Sequence, residues 1–296
     1  WVEALDTNST GGSNTAIGYA SLYANTTASN NTAVGHNSLK ANTTGTSNTA
    51  VGFASLDANT TAHNNTALGY NALTANTTGF DNTALGSNTL ITNTTGDYNT
   101  AVGKNALFSA TTADYNTAVG FNALSDDTTG TNNTAVGYQA SLSNTTGGQN
   151  TSIGWNAFGT NTTGSDNTAL GKRALHASTT ASNNTAVGAN SLLLNTTGDN
   201  NVAIGTEAGD ANTTGSDIVV VGRSALGGNT TGNYNTAMGR NALLANTTAS
   251  NNTAIGNVAL RLNTTGASLT AVGAYALEQN TTASNNTAVG YNCLSV

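Results

Sequence analysis

One five-residue phrase returns every 17 residues along this chain of 296 residues. It reads Asn-Thr-Ala-aliphatic-Gly in most copies, and its glycine recurs without insertion or deletion from Gly18 to Gly290. A period this short and this strict leaves few folds open, because one repeat is too small to enclose a core of its own. The chain must therefore stack its repeats, so that each one packs on its neighbours.

Positions within the repeat are counted from the asparagine of the phrase, and a typical repeat reads N-T-A-V-G-x-N-A-L-x-A-N-T-T-G-x-N from position 1 to position 17. No linker or change in composition interrupts the series. The sequence starts at position 5, stops at position 11 and has no atypical capping repeat at either end. We therefore expect residues 1–296 to form a single array that is a segment of a longer chain, or whose ends are covered by other chains.

The residue types predict an all-β array with two short strands in each repeat. Position 2 is usually Thr and position 4 is always aliphatic or Met, and alternate residues of a strand share a face. We expect the side chain at position 4 to be buried together with the Leu that usually fills position 9. Around position 9, as in the stretch YNALTAN, a short helical turn is the alternative, because Ala and Leu favour helix.

The stack that these residues predict is an elongated β-solenoid or β-roll of about seventeen rungs, roughly 80 Å long at the spacing of paired strands. Two large apolar side chains per repeat make a thin core for a lone chain. Pairing of several rods along a common axis would bury a second face. We therefore expect a parallel homo-oligomer, most simply a trimer.

Fixed glycines and threonines predict where the backbone bends. Position 5 should end the strand with a bend or a close backbone approach, and its structural glycines include Gly18, Gly120 and Gly290. Asn-Thr-Thr-Gly at positions 12 to 15 predicts a turn. In this turn we expect Asn161 to accept a backbone N–H, so that Asp would serve equally well. Thr27 and Thr163 stand at the invariant position 14 and are expected to pack or bond within the repeat.

The bulk composition excludes several classes of function. Only 7% of the residues are charged and the formal net charge is −7, which argues against a nucleic-acid partner. No run of 18 apolar residues is present, so we expect no membrane span. The three histidines fall at different positions of the repeat, Cys293 is the only cysteine, and no hydrolase, phosphate-binding or metal-ligand motif occurs. We expect no enzyme activity, no catalytic or metal-binding residue and no cofactor.

Asparagine sequons are the first candidate surface feature. Positions 12 to 14 match Asn-x-Ser/Thr in fourteen repeats, and each match could carry a glycan in a secretory context. The alternative is turn chemistry alone, because Asp127 and Ser178, which replace Asn in two repeats, also bond to nearby backbone. The candidate glycosylation residues are Asn8, Asn25, Asn42, Asn59, Asn76, Asn93, Asn144, Asn161, Asn195, Asn212, Asn229, Asn246, Asn263 and Asn280. Further sequons begin at position 17, at Asn30, Asn64, Asn132, Asn183, Asn251 and Asn285.

Aromatic residues at position 6 are the second candidate feature. A row of aromatic side chains along one edge could stack on sugars or on another protein, although aromatic residues also suit half-buried strand positions. The candidate binding edge consists of Tyr19, Phe53, Tyr70, Phe121, Tyr138, Trp155 and Tyr291.

The phrase NNTAVG, found at residues 30–35, 132–137 and 183–188, resembles the N-S-V-A-I-G phrase in the head repeats of trimeric autotransporter adhesins of the YadA type. The full repeat, as in NTAVGYQASLSNTTGGQ, is similar to the repeat shafts of phage-type tail fibre proteins. Both resemblances imply trimeric β-structured fibres that hold out a tip or bind surfaces.

We therefore expect a structural fibre or filament shaft that spaces or presents binding surfaces. Its expected location is extracellular, as a secreted filament, on a cell surface or on a virion. The alternatives are a filament coated with glycans on its Asn-Thr-Thr turns, and an adhesin that binds carbohydrate through the aromatic edge. The expected partners are other copies of the chain, and carbohydrate or a cell surface is the further possibility.

Overall fold

A computed structural model of the protein describes residues 3–295. Over this range every complete repeat contributes one β-strand of three residues, at positions 2 to 4, and no helix occurs. The chain divides into two compact units, Trp1–Gly148 and Gln149–Val296, here called unit 1 and unit 2. The predicted all-β solenoid of 17-residue turns is confirmed.

Unit 1 contains eight strands in one parallel sheet. Each strand pairs with the next at a register of one repeat, as when Ala67 of β4 pairs with Ala84 of β5. Equivalent side chains therefore lie above one another in rows that run across the strands. The strands are β1 (Thr15–Ile17), β2 (Thr32–Val34), β3 (Thr49–Val51), β4 (Thr66–Leu68), β5 (Thr83–Leu85), β6 (Thr100–Val102), β7 (Thr117–Val119) and β8 (Thr134–Val136).

Unit 2 contains nine strands with the same parallel pairing, as when Ala237 of β14 pairs with Ala254 of β15. Its strands are β9 (Thr151–Ile153), β10 (Thr168–Leu170), β11 (Thr185–Val187), β12 (Val202–Ile204), β13 (Val219–Val221), β14 (Thr236–Met238), β15 (Thr253–Ile255), β16 (Thr270–Val272) and β17 (Thr287–Val289).

The glycine at position 5 ends the strand, as predicted. Gly120 has φ of 138°, and a Cβ atom on it would lie 2.7 Å from the carbonyl carbon of Gly137 in the next repeat. Gly18 and Gly290 adopt the same conformation, with φ of 132° and 135°. Since L-residues rarely adopt this φ and no side chain fits between the turns, only glycine is tolerated where another repeat follows.

The prediction of a second strand is wrong, and no helical turn replaces it. Residues at positions 7 and 9 have left-handed backbone, as at Asn71 with φ of 52° and Leu73 with φ of 54°. Two left-handed residues separated by one position reverse the chain repeatedly, so neither an extended strand nor an α-helix can pass through them. The backbone N–H of Leu73 bonds to the carbonyl of Thr89 at 2.9 Å, which fastens this bent segment to the next repeat.

Burial of position 4 was also predicted wrongly. Leu68 and Leu85 keep 43% and 41% of their surface exposed, whereas Ala67 at position 3 and Leu73 at position 9 are fully buried. Thr and the aliphatic residue do share a face, as alternation requires, but it is the outer face. The small alanine points inward because the opposite side of the narrow turn already holds the leucine.

Candidate functional site

Asparagine side chains at position 12 form a hydrogen-bonded ladder inside each unit. The Nδ2 atom of Asn59 donates to Oδ1 of Asn42 at 2.9 Å and to the carbonyl of Ala62 at 3.1 Å. The same pair of bonds recurs at Asn229, which donates to Asn212 and Gly232. Both protons of the amide nitrogen are therefore used, one between repeats and one within the turn.

This ladder does not fit glycosylation of the fourteen Asn-Thr-Thr candidates. Twelve of them are buried, and only Asn8 and Asn280 are partly accessible. An N-glycan replaces a proton of Nδ2 and needs solvent around that atom, so it would break the ladder and could not be accommodated in the interior. The turn alternative describes these residues better, because the Oδ1 atom of Asn161 accepts the backbone N–H of Gly164 at 3.0 Å.

A second asparagine ladder, at position 1, was not predicted. The Oδ1 atom of Asn48 accepts the backbone N–H of Asn65 at 2.9 Å, and the Nδ2 atom of Asn65 donates to the carbonyl of Gly79 at 2.8 Å. The near invariance of Asn at this position was the available signal. Two rows of amides therefore run through the interior beside the Leu and Ala side chains.

Three repeats lack the position 12 asparagine, and each leaves a local defect. In unit 1 the buried Oδ1 of Asn93 has no hydrogen-bond partner where Ala110 stands in the next repeat. In unit 2 the buried Oγ of Ser178 is likewise unpaired. Burial raises the pKa of the Asp127 carboxyl to about 7 even though the Gly130 N–H donates to it at 2.8 Å. These defects show that the slot is built for an amide.

The sequons at position 17 lie in a different environment. All six of their asparagines are exposed, and the backbone at this corner is left-handed, with φ of 60° at Asn183. Asn, Asp, Ser, Gln and Tyr also occur at this position in other repeats, which marks it as an outward corner. The sequons at position 17 are therefore exposed, whereas those at position 12 are buried except at Asn8 and Asn280.

The aromatic residues at position 6 are exposed, and in unit 1 they form a row that Ser87 and Lys104 interrupt. In unit 2 Trp155 and Tyr291 stand eight repeats apart. Tyr19, His36, Phe53 and Tyr70 stack on one another in successive repeats with ring centroids 5.1, 5.2 and 5.4 Å apart. Phe121 and Tyr138 stack in the same way, and Lys172 lies 5.5 Å from the ring centroid of Trp155. Tyr291 makes an edge contact with Tyr275. Because most ring faces are covered by a neighbouring ring, the row presents mainly ring edges to solvent.

A second aromatic column in unit 1 was not predicted. It consists of His63, Phe80, Tyr98 and Tyr115, at positions 16 and 17, with successive centroids 5.4, 5.2 and 5.0 Å apart. The first two of these residues are at position 16 of the repeat and the last two are at position 17. A search for aromatic residues at one fixed position of the repeat therefore cannot find the column.

The two threonines of the Asn-Thr-Thr turn differ in role. At position 13 the hydroxyl bonds to the next repeat, as when Oγ1 of Thr162 donates to the carbonyl of Thr179 at 3.0 Å. At position 14 the side chains of Thr27 and Thr163 are exposed, so the expectation that they pack within the repeat is wrong. The invariance of position 14 is not explained by any contact that the structure shows.

The outer strand face carries an exposed apolar row in both units. No aliphatic residue at position 4 is buried in any strand of the described chain, and Leu170, Ile204 and Met238 are exposed by 43%, 42% and 40%. Thr, or Val in two strands, stands beside each of them at position 2. We call this surface the strand face, defined by positions 2 and 4 of every strand.

Within residues 3–295 no three His, Cys, Asp or Glu side chains come together as a set of metal ligands. The same part of the chain has no helix with the length and apolar character to cross a membrane. No family model, curated protein or solved structure matches the chain. The resemblances to adhesin heads and tail fibre shafts are therefore carried by the repeat phrases alone.

Proposed function

We propose that this chain is a structural shaft segment of an extracellular fibre, and that its copies associate in parallel through the strand face. The observation that carries the proposal is the row of half-exposed aliphatic side chains in each unit. Exposed apolar residues in isolation are ordinary on proteins, but a contiguous row of them marks an interaction surface. Extracellular placement rests on the resemblance of the NNTAVG phrase to adhesin heads.

The size of the strand face supports association. In unit 1, eight paired strands extend over about 34 Å, and the two outward side chains of each strand occupy a band about 10 Å wide. Covering this band would bury about 700 Å² in total from two partners. The strand face of unit 2 would bury a similar area in its own contact, and the two contacts together would bury about 1,400 Å², which falls within the range of specific protein interfaces.

The regularity of the strand face favours a second copy as the partner. The row repeats at the spacing of paired strands, so a partner with the same spacing can place one side chain between two others along the whole row. No residue at position 2 or 4 of any strand is charged, so no charged group has to be desolvated. A parallel copy of the chain meets both conditions.

The experiment is mass photometry and light scattering of the whole 29.4 kDa chain over a concentration series. We expect dimers or larger parallel assemblies, and we expect the double variant Leu170→Thr, Ile204→Thr to weaken association about tenfold or more. Threonine is compatible with both sites, because it is the usual residue on this face at position 2.

Leu194→Thr is the matched control, since Leu194 is exposed by 47% but lies at position 11, away from the strand face. This variant should associate like the unsubstituted chain. A soluble monomer at every concentration, or equal weakening by the control, would refute the proposal.

Binding of carbohydrate through the aromatic row is a second candidate function. One observation favours it: Tyr70 ends a stacked series, is exposed by 55%, and is followed in the next repeat by the small Ser87. One face of its ring is therefore open to stack on a sugar. Tyr70→Ser should abolish binding on a glycan array, whereas His36→Ser, within the stack, should reduce it much less.

A further inference from the structure

Exposure separates the position 17 sequons of this chain from its Asn-Thr-Thr turns and from the single buried sequon at Asn150, and this division points to a modification site. We infer that the exposed Asn-Asn-Thr corners at position 17 are acceptors for N-linked glycans, while the buried Asn-Thr-Thr turns are not. The sites are Asn30, Asn64, Asn132, Asn183, Asn251 and Asn285. The inference rests on the extracellular placement proposed above, because this modification belongs to secreted chains.

Accessibility of the acceptor atom is the first argument. The side chain of Asn183 is exposed and has no hydrogen-bond partner among the described residues, so its Nδ2 is free to react. The side chain of Asn195 is fully buried, and its Nδ2 donates to the carbonyl of Gly198 at 2.9 Å. Both residues stand in Asn-x-Thr sequons only twelve positions apart. Their chemistry is the same, and only the environment of the amide differs.

Spacing is the second argument. In unit 1 the exposed sites Asn30, Asn64 and Asn132 lie two and four repeats apart, and in unit 2 the corresponding separations are four and two. At the spacing of paired strands two repeats are about 9.5 Å and four are about 19 Å. Glycans on adjacent repeats would crowd at about 4.8 Å, but no two exposed sequons are adjacent. The position 12 sequons occupy consecutive repeats and do not have this property.

The reaction is a glycosyl transfer from an oligosaccharide carried on a lipid pyrophosphate. Nδ2 of the acceptor asparagine attacks the anomeric carbon of the first sugar, and a C–N bond forms. The bond from that carbon to the pyrophosphate oxygen breaks, and the lipid pyrophosphate leaves with the electron pair. Nδ2 gives up one proton to a base of the transferase. The threonine two residues later completes the recognised sequon.

Asn200 provides a control within the chain. It occupies the same exposed corner, with φ of 59°, but Val202 stands where the sequon needs Thr. We therefore expect Asn200 to be bare. The substitution Val202→Thr creates a sequon there with the residue that most strands already have at position 2, and Thr185→Val removes the sequon of Asn183 with a residue that two strands have naturally.

For the experiment, the whole chain is expressed and secreted by a eukaryotic host that makes lipid-linked oligosaccharide. Enzymatic glycan release in heavy-oxygen water converts each occupied Asn to labelled Asp, which peptide mass spectrometry locates. We expect label at Asn183 and none at Asn195 or Asn200. The substitution Val202→Thr should lead to a glycan on Asn200, in competition with the glycan on Asn183 one repeat away. The substitution Thr185→Val should leave Asn183 without a glycan.

A glycan at Asn195 in folded, secreted material would overturn the inference, and so would bare Asn183 beside an occupied control glycoprotein. The fibre proposal fails in a different way. In that case the chain stays monomeric in mass photometry before and after glycan removal, while Asn183 still carries its label. Association without label refutes only the glycan sites.

Discussion

Asp127 provides the sharpest test of the buried ladder. It stands at position 12 of unit 1, where most repeats have an asparagine, and it is fully buried. Its carboxyl group accepts the N–H of Gly130 at 2.8 Å and an Nδ2 proton of Asn133 at 3.4 Å. Unlike an amide it has no proton to donate when ionised. Burial is the main cause that raises its pKa from 3.8 to about 7, and these hydrogen bonds oppose the shift.

The sign of the pH effect follows from this shift. The folded chain holds the Asp127 proton up to about pH 7, whereas the unfolded chain releases it near pH 3.8. Stability from this group is therefore fully present below about pH 4, falls as the pH rises towards 7, and is constant above that. Three pKa units at about 1.4 kcal/mol each amount to roughly 4 kcal/mol lost across the window.

Asp127→Asn replaces the carboxyl with the residue that the ladder uses elsewhere. We expect the variant to lose the pH dependence between 4 and 7 and to be more stable than the unsubstituted chain at pH 8 by about 3–4 kcal/mol. Hydrogen exchange of the amides around residues 111–145, measured at pH 4.5, 6 and 8 with correction for the intrinsic rates, reports this local stability. Asp126→Asn, at the exposed neighbouring residue, is the comparison: partial burial raises the pKa of Asp126 as well, so this variant should lose a smaller part of the pH dependence than Asp127→Asn. The same pH dependence with Asn at position 127 would refute the reasoning.

Three further predictions concern the arrangement of the repeat. Ser178→Asn should stabilise unit 2 by about 1–3 kcal/mol in urea unfolding, because it continues the ladder and removes a buried unpaired hydroxyl. A loss of stability would show that the slot does not accept an amide in every repeat. Leu175→Ala should cost about 2–5 kcal/mol, while Leu170→Ala should cost less than about 1 kcal/mol in dilute monomer, because only the first is buried. Equal costs would contradict the assignment of position 4 to the outside. In thermal melts Gly120→Val should be far more destabilising than Phe121→Ser, because Gly120 has φ of 138° and lies against the next repeat. The reverse ranking would contradict this backbone geometry.

Periodicity alone predicted the solenoid, because a strict 17-residue period can only be stacked. The location of the strand and the bend at Gly120 were also predictable, from alternation and from an invariant glycine. The second strand was not, because left-handed backbone at Leu73 has no sequence signature: leucine is an unusual residue for φ of 54°.

The side chain at position 4 was wrongly predicted to be buried, because large aliphatic residues usually are. Alternation says that Thr66 and Leu68 share a face, but it does not say which face is the core. Of the two hydrogen-bonding roles of the turn asparagine, the role as acceptor was predicted and the role as donor was not. Asn161 accepts a backbone N–H, but its Nδ2 also donates to the carbonyl of Gly164 at 3.0 Å. Asn161→Asp would therefore lose a donor and bury a charge, so we expect it to destabilise the turn rather than to be neutral.

The invariance of the repeat has two different physical origins. Inside, each ladder asparagine must donate to one neighbour and accept from the other, so its identity depends on the same residue in the next repeat. Aspartate lacks the donor, serine is too short and alanine has neither group, and the defects at Asp127, Ser178 and Asn93 follow from these differences.

The outward positions 4 and 6 of the described repeats have no ladder of side-chain hydrogen bonds like that of the buried asparagines. Position 6 holds an aromatic residue in some repeats and a charged one in others, as with Tyr70 and Lys104. Position 4 is aliphatic or Met in every strand, although it is at least partly exposed. Nothing inside the described turns requires a large apolar side chain there. We propose that this constraint comes from a neighbour, because a second copy with the same row would impose it on every repeat at once. This is why the strand face, more than the aromatic row, supports the proposed function as a fibre.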